Sequence, residues 1–468
     1  MSTLFAAGHA IVNVGLTSFA QTIVDAGARV VQLDWQPPAS GDRALGMQLA
    51  ALINHPVVEQ ANQRAYAAYV EAQPNLIGVA RAGEALPGFA GRMLLHAGPP
   101  IAFGEMCGPM QGAIYGALLF EGWAKDIDAA RELAASGQIA FASCHQHGAV
   151  GPMAGVISPS MPVWIVENAA TGKRAFSNFN EGLGKVLRFG AHGREVLDRL
   201  RWMSGVLAPT MSAVLARHGP LALKPVIAQA LHMGDECHNR NVAASSLLLK
   251  KLVPAALESK VPHSQLAEVL SFIAGNDHFF LNLSMAGCKA MLDAAHGIAG
   301  SSMVTAMSRN GVRFGIRLSG TGDLWFEAPA LPVNGLYFPS YGPQDAAADL
   351  GDSAITETAG LGGFAMAGSP AIVQFVGGTP AQAVANTLSM THITLGRNNA
   401  FTLPAINFGG TPAGIDARKV LDSGIAPIIN TGIAHKEAGV GQIGAGITHA
   451  PLECFAPAIA ALAARVSA

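Results

Sequence analysis

Apolar and polar positions follow three different rhythms along the chain. In the first third, Ala10–Val14 is a short apolar run. Leu16, Phe19, Ile23 and Val24 then recur at helical spacing up to Gly27, and Arg29–Leu33 forms a second run ending at Asp34. Strand, helix and strand within some 25 residues predict a βαβ unit, closed by the breaker Trp35-Gln36-Pro37-Pro38. Leu45–Ala72 reads as one helical stretch, and Leu76–Ala80, Arg92–His96 and Ile139–Ser143 as strands. From Val196 to Ala274 the helical period takes over and strand signals vanish. Beyond it, Met303–Met307 and Val312–Leu318 flank Asn310-Gly311, a strong hairpin signal. Short apolar strands between Gly-rich loops complete the chain. The fold class read from this pattern is α/β.

Composition narrows the picture. Only 13% of the 468 residues are charged, half are hydrophobic, and 54 are glycine. Such a chain buries too much to be disordered and carries too little Glu and Lys for a coiled coil. A formal net charge of −2 without a basic run gives no footing for nucleic acid or an anionic membrane. The longest uncharged stretch, Thr358 to Gly396, is broken by seven glycines and two prolines, so no membrane span is expected. Five widely spaced cysteines and no convincing signal peptide point to reduced thiols in the cytoplasm. Few charges in a long chain also suggest a covered face, most simply that of a homodimer.

Candidate chemistry gathers where polar groups meet glycines. Cys144-His145-Gln146-His147 follows a strand, whose alternation would put His145 and His147 on one face. They could bind a metal or line a site by hydrogen bonding. Asn178 to Arg188 places a Gly-rich turn before Lys185 and Arg188, which suits a small anion but is not a Walker loop. On a continuous helix His232, Asp235, Glu236 and Asn239 would share one face, either as an acid–base cluster with His238 or as a solvated face with Asp235 as a cap. Gly275 to Asn282 reads as a helix start, capped by Asn276 or Asp277, with His278, Asn282 and Lys289 left for other work. Arg317 ahead of Ser319-Gly320-Thr321-Gly322 is what an anion clamp needs, or an ordinary turn. No G-x-G-x-x-G links the first strand to its helix, so no dinucleotide is expected. No cofactor is expected either, a divalent ion at His145 and His147 being the one alternative.

The strings LLHAGPPI (94–101), GPMAGVISPSMP (151–162), NEGLGKVLR (180–188), IAQALHMGDECHNRN (227–241), GNDHFFLNLSMAGCKA (275–290), GDSAITET (351–358) with GLGGFAM (360–366), and NTGIAHK (430–436) resemble the YlbE-like family. That family includes the large subunit of bacterial oxamate carbamoyltransferase. The resemblance implies three parts: a Rossmann-like N-terminal region over 1–138, a mixed α/β body over 139–195 and 275–468, and a small helical domain inserted over 196–274. It also implies a reversible reaction of allantoin breakdown, oxalurate plus phosphate giving oxamate and carbamoyl phosphate, performed with other subunits.

Such a transfer needs an anion clamp, for which Lys185, Arg188 and Arg317 are candidates with Ser319 and Thr321. It needs donors for a carbonyl oxygen, Asn180 and Asn282. It also needs an acid–base group, His232, His238 or His278, oriented by Asp235 or Glu236. One alternative is a metal-dependent amidohydrolase acting on a ureide or cyclic amide through His145, His147, His232, Asp235 and His238. The other is a scaffold subunit without catalysis.

Overall fold

The computed structural model describes residues 10–33 and 37–467. Asp34, at the end of the second predicted strand, lies outside them. Ala10–Val14 and Arg29–Leu33 pair in parallel across the helix Thr17–Asp25, with the predicted bounds. The pair stays a two-stranded sheet. The other strands of the first third go elsewhere: Pro74–Arg81 pairs antiparallel with Pro162–Asn168, and Met93–His96 pairs in parallel with Ala140–Ser143. Among the described residues the N-terminal third thus holds a βαβ unit, while its remaining strands join other sheets.

Leu45–Ala72 is two helices, Arg43–Leu52 and Pro56–Glu71. Asn54 takes a left-handed φ of 60°, and Pro56 starts a new helix where its missing N–H costs nothing. Asp42 caps the first of them through the N–H of Leu45, at 3.0 Å.

A five-stranded sheet forms the middle of the molecule, in the order Ala149–Val150, Arg174–Asn178, Pro162–Asn168, Pro74–Arg81, Leu221–Ala222. Trp164, on its central strand, is fully buried with its ring 4.1 Å from that of Phe179 and edge-on to Phe279 at 5.9 Å. Such pairs add about 0.5–1.5 kcal/mol each beyond their burial. The stretch from 196 to 274 is helical except for the two-residue strand Leu221–Ala222, which the sequence does not signal: Arg194–Trp202 runs through a π turn, Met203–Leu207, into Ala208–His218, followed by Leu223–His232, Val242–Glu258 and His263–Ala274. These helices share one hydrophobic core with Leu76 and Trp164 of the sheet and with Leu283.

Leu281–Ala294 is the axis on which the polar clusters hang. It is buried continuously from Leu281 to Leu292, as expected of a helix that is apolar nearly all round, yet it carries Asn282, Ser284 and Lys289. It starts four residues later than the predicted caps. Asn276 instead turns the chain before it, Oδ1 accepting the N–H of His278 at 3.1 Å.

The Asn310-Gly311 hairpin forms between Val304–Asn310 and Arg313–Leu318. Asn310 Oδ1 accepts the N–H groups of Val312 and Arg313. Phe326–Pro329 and Leu350–Gly351 extend that sheet to four strands. A three-stranded sheet (Asn334–Tyr337, Gln442–His449, Ile428–Ala434) and a hairpin (Thr394–Leu403, Gly409–Ile415) enclose the far side. No helix among the described residues is long and apolar enough to cross a membrane.

Candidate active site

The segment expected to continue as a helix from His232 does not. The helix Leu223–His232 stops there, because Gly234 and Cys237 take positive φ angles of 97° and 63°, which a helix cannot accommodate. Asp235 and Glu236 consequently sit in a buried loop and face different partners. Asp235 Oδ2 accepts the N–H of Ala244 at 2.8 Å in the first turn of Val242–Glu258, the capping role weighed above. Glu236, fully buried, accepts the backbone N–H groups of His238 at 2.7 Å and Arg240 at 2.6 Å. Burial, with the nearby Glu357 carboxylate second, pushes its carboxyl well above the usual range.

His238 is the centre of this cluster. Its Nδ1 lies 2.8 Å and 3.0 Å from the two carboxylate oxygens of Glu357. A carboxylate there fixes the proton on Nδ1 and leaves Nε2 as a bare acceptor. Nε2 forms no hydrogen bond among the described residues, and the side chain is 3% exposed. Glu357 is held in turn by the Thr356 hydroxyl at 2.9 Å and the N–H groups of Gly363 at 2.9 Å and Asn430 at 3.3 Å. Gly362 is required beside it: its φ is +54°, and a Cβ at that position would collide with Glu357 Oε1. The Asn430 side chain is buried with both amide atoms unpartnered among the described residues, on a residue whose backbone N–H meets Glu357.

His278, Asn180, Asn282 and Arg188 gather on the side of His238 nearer the five-stranded sheet. His278 Nε2 meets the Asn239 carbonyl at 3.0 Å. Burial first, then Arg188, lowers its imidazole to about 4, so it is neutral at pH 7. The two asparagines are already engaged. Asn180 Nδ2 donates to Asn282 Oδ1 at 2.9 Å, and Asn282 Nδ2 donates to the Asn178 carbonyl at 2.6 Å and the Ser177 hydroxyl at 3.1 Å. They shape the 177–182 loop rather than present free donors. Arg188 is buried, donates to the Gly182 carbonyl at 2.7 Å and lies over the Phe189 ring.

Beside it, burial pushes the Glu181 carboxyl up to about 7. A folded value above the unfolded ~4.3 means that folding retains a proton the unfolded chain releases. Stability from this group is thus fully present below about pH 4 and is lost as pH rises towards 7, by at most about 1.4 kcal/mol per pH unit. Urea unfolding of Glu181→Gln between pH 4.5 and 7 should show a flatter pH dependence than the wild type; identical slopes would refute this.

Other sequence candidates lie elsewhere. His232 is exposed, with Nε2 2.9 Å from the Thr402 hydroxyl and its ring edge-on to Phe408. Lys185 is exposed. Ser319 donates to the Ala295 carbonyl at 2.5 Å and Thr321 to the Leu318 carbonyl at 3.3 Å, so both hydroxyls tie backbone. Arg317 sits near the far end of the helix Leu281–Ala294, with His296 and Asp323. Cys144–His147 is a 3-10 turn, not a strand: His145 is buried, whereas His147 faces the Pro87 carbonyl at 2.8 Å. The five proposed metal ligands are therefore scattered, and the described residues hold no group of three or more His, Cys, Asp or Glu side chains placed to bind a metal.

Glu357 and Asn430 were not singled out as chemistry in the sequence, although the GDSAITET and NTGIAHK strings contain them. Nor were Arg309 and Asp349, a fully buried bidentate ion pair with both bonds at 2.7 Å. A Glu within a short apolar helix and an Asn on a strand carry no spacing signal of their own; only the fold sets them against His238.

Residues 139–353 match the family "Oxamate carbamoyltransferase subunit AllG". A protein of that name from Escherichia coli (strain K12) is 48% identical over 415 residues, 88% of this chain and 97% of its own length. The uncharacterized protein YahG of the same organism is 47% identical over 460 residues, 98% of each chain. A crystal structure of a conserved protein of unknown function from Enterococcus faecalis V583 superposes with a TM-score of 0.86 at 48% identity, covering 87% of this chain and 98% of that one. The chain belongs to the oxamate carbamoyltransferase subunit AllG family.

Proposed function

We propose that the chain is the carbamoyl-transferring subunit of a multi-subunit enzyme that converts oxalurate and phosphate to oxamate and carbamoyl phosphate. The observation that carries this reading is His238, with Nδ1 held by Glu357 and Nε2 without a hydrogen bond among the described residues. In the reaction a phosphate oxygen attacks the ureido carbonyl carbon of oxalurate, and the bond from that carbon to the oxamate nitrogen breaks. The phosphate hydroxyl loses one proton and the leaving nitrogen gains one. His238 Nε2 takes the first and delivers the second, with the Glu357 carboxylate stabilising the imidazolium in between. Asn430, with an unpaired amide donor and acceptor, is suited to orient an amide or ureide group by complementary hydrogen bonds.

The subunit name of the relative supports a reaction shared with other chains, so the test uses the chain together with its partner subunits. Supplied with oxalurate and phosphate, the complex should release carbamoyl phosphate and oxamate in equal amounts, and none without phosphate. Cleavage of oxalurate that proceeds equally well without phosphate would show a hydrolase instead, and no cleavage at all would remove the substrate assignment.

A further inference from the structure

Near the far end of the helix Leu281–Ala294, two cations and two imidazoles converge from four elements, and burial holds both imidazoles below their ordinary range, that of His296 at about 4. They are His145 of the 3-10 turn, Lys289 of the helix, His296 just past it, and Arg317 of the hairpin. His145 and Lys289 are essentially buried and Arg317 is 5% exposed at its side chain. Lys289 is paired with Asp293, at 2.5 Å and 2.7 Å. His296 turns Nδ1 to the Thr305 hydroxyl and Nε2 to Arg317 Nη2, each at 2.8 Å. The Arg317 guanidinium lies over the Trp325 ring, 5.6 Å from its centroid, and His145 meets that ring edge-on at 5.4 Å.

Polar atoms in this cluster are left over. Both nitrogens of His145, Nε of Arg317 and Nε1 of Trp325 are sealed from solvent and have no hydrogen-bond partner among the described residues. The nearest carboxylate to His145, that of Asp352, stands 3.6 Å from Nε2. Unpaired buried polar atoms are uncommon in folded proteins and call for a specific partner. Here the leftover atoms are mostly N–H donors beside cations, so the fitting partner is an acceptor with several oxygens and negative charge.

One acceptor already touches the cluster from outside. Asp323, whose side chain is 91% exposed, reaches in from the loop after Thr321, pairs with Arg317 and stands 3.5 Å from His296 Nε2. A carboxylate so exposed is held by little else and is readily exchanged for another anion.

We propose that His145, Lys289, His296, Arg317 and Trp325 form an oxyanion-binding site, and that the Asp323 carboxylate is the group the ligand displaces. The site is separate from the His238 cluster. Asn282 and Lys289 lie seven residues apart on one helix, about 10.5 Å along its axis. The proposal therefore stands or falls independently of the His238 chemistry. Phosphate and the carboxylate of an oxamate-like acid share the chemistry that this pocket recognises.

Calorimetric titration of the full chain with inorganic phosphate, and separately with oxamate, tests it. At least one of the two anions should bind. Asp323→Ala, an exposed substitution that leaves the fold alone, should tighten that binding about five- to tenfold. Arg317→Gln should abolish the binding that Asp323→Ala tightens. The proposal is overturned if neither anion binds, or if Asp323→Ala leaves the affinity as it was. Normal anion binding in a chain whose complex fails to cleave oxalurate would sink the functional reading and leave this site standing.

Discussion

His238→Gln in the assembled complex should lower kcat for carbamoyl transfer by about 10²- to 10⁴-fold, the range of a lost general acid–base group. The side chain is 3% exposed and its one side-chain bond is to Glu357, so Gln of similar length leaves the surrounding packing largely in place. KM should move little, since Nε2 acts on protons in flight rather than on ground-state binding. Glu357→Gln should act in the same direction but more weakly, because it removes the charge that stabilises the imidazolium while retaining an acceptor for Nδ1–H. Steady-state kinetics with folding checked by circular dichroism decides the matter. A His238→Gln complex retaining more than a tenth of wild-type kcat would exclude His238 as the proton-transfer group. If Glu357→Gln proved the more damaging variant, the carboxylate itself would be the acting group.

Much of the architecture is legible in the sequence, and the reason differs from element to element. Ala10–Val14, Arg29–Leu33 and the Asn310-Gly311 hairpin were readable because their signals are local: apolar runs, a turn dipeptide, a fixed period. The Asp235-Glu236 segment misled for the opposite reason. Its spacing fits a helix, but Gly234 and the left-handed Cys237 end the helix at His232, and a single non-glycine residue at positive φ leaves no mark in sequence. Long-range pairing was also out of reach. Nothing in 74–81 says that it will lie against 162–168 rather than continue a parallel sheet begun at residue 10.

The candidate site divides in the same way. Glu236, His238 and His278 stand out because several polar residue types cluster within a few positions of a sparsely charged chain, and the fold does bring these three into neighbouring positions. His232 stands out by the same criterion and is a surface residue. Glu357 and Asn430 sit more than a hundred residues away from His238 in sequence, and only the fold joins them, through the His238–Glu357 pair and the Asn430 N–H on the same carboxylate. Such clustering in a sparsely charged chain is thus a good guide to which residue types matter, and a poor one to which copies of them meet.

Arg309→Met should be the most destabilising single change outside the apolar core. The guanidinium is fully buried and spends its donors on Asp349 (two bonds at 2.7 Å), the Gly351 carbonyl at 2.8 Å, the Thr431 hydroxyl at 3.1 Å and the Ser353 hydroxyl at 3.2 Å. Through these bonds it ties the hairpin strand Val304–Asn310 to the segment leading into Glu357 and to the strand carrying Asn430. Methionine fills much of the volume but leaves the Asp349 carboxylate buried without its partner, a loss of about 3–5 kcal/mol. In urea the unfolding midpoint should fall accordingly. Replacing both partners, as Arg309→Met with Asp349→Leu, removes the stranded charge and should restore at least half of the loss, because a buried pair repays little more than its own desolvation. Activity should not return with stability, since the double variant still lacks the bonds to Ser353 and Thr431 that hold the neighbours of Glu357 and Asn430 in place. A single variant within about 1 kcal/mol of wild type would show that Asp349 finds relief by taking up a proton or water. A double variant as unstable as the single one would locate the cost in the lost bonds to Gly351, Ser353 and Thr431 rather than in the unpaired charge.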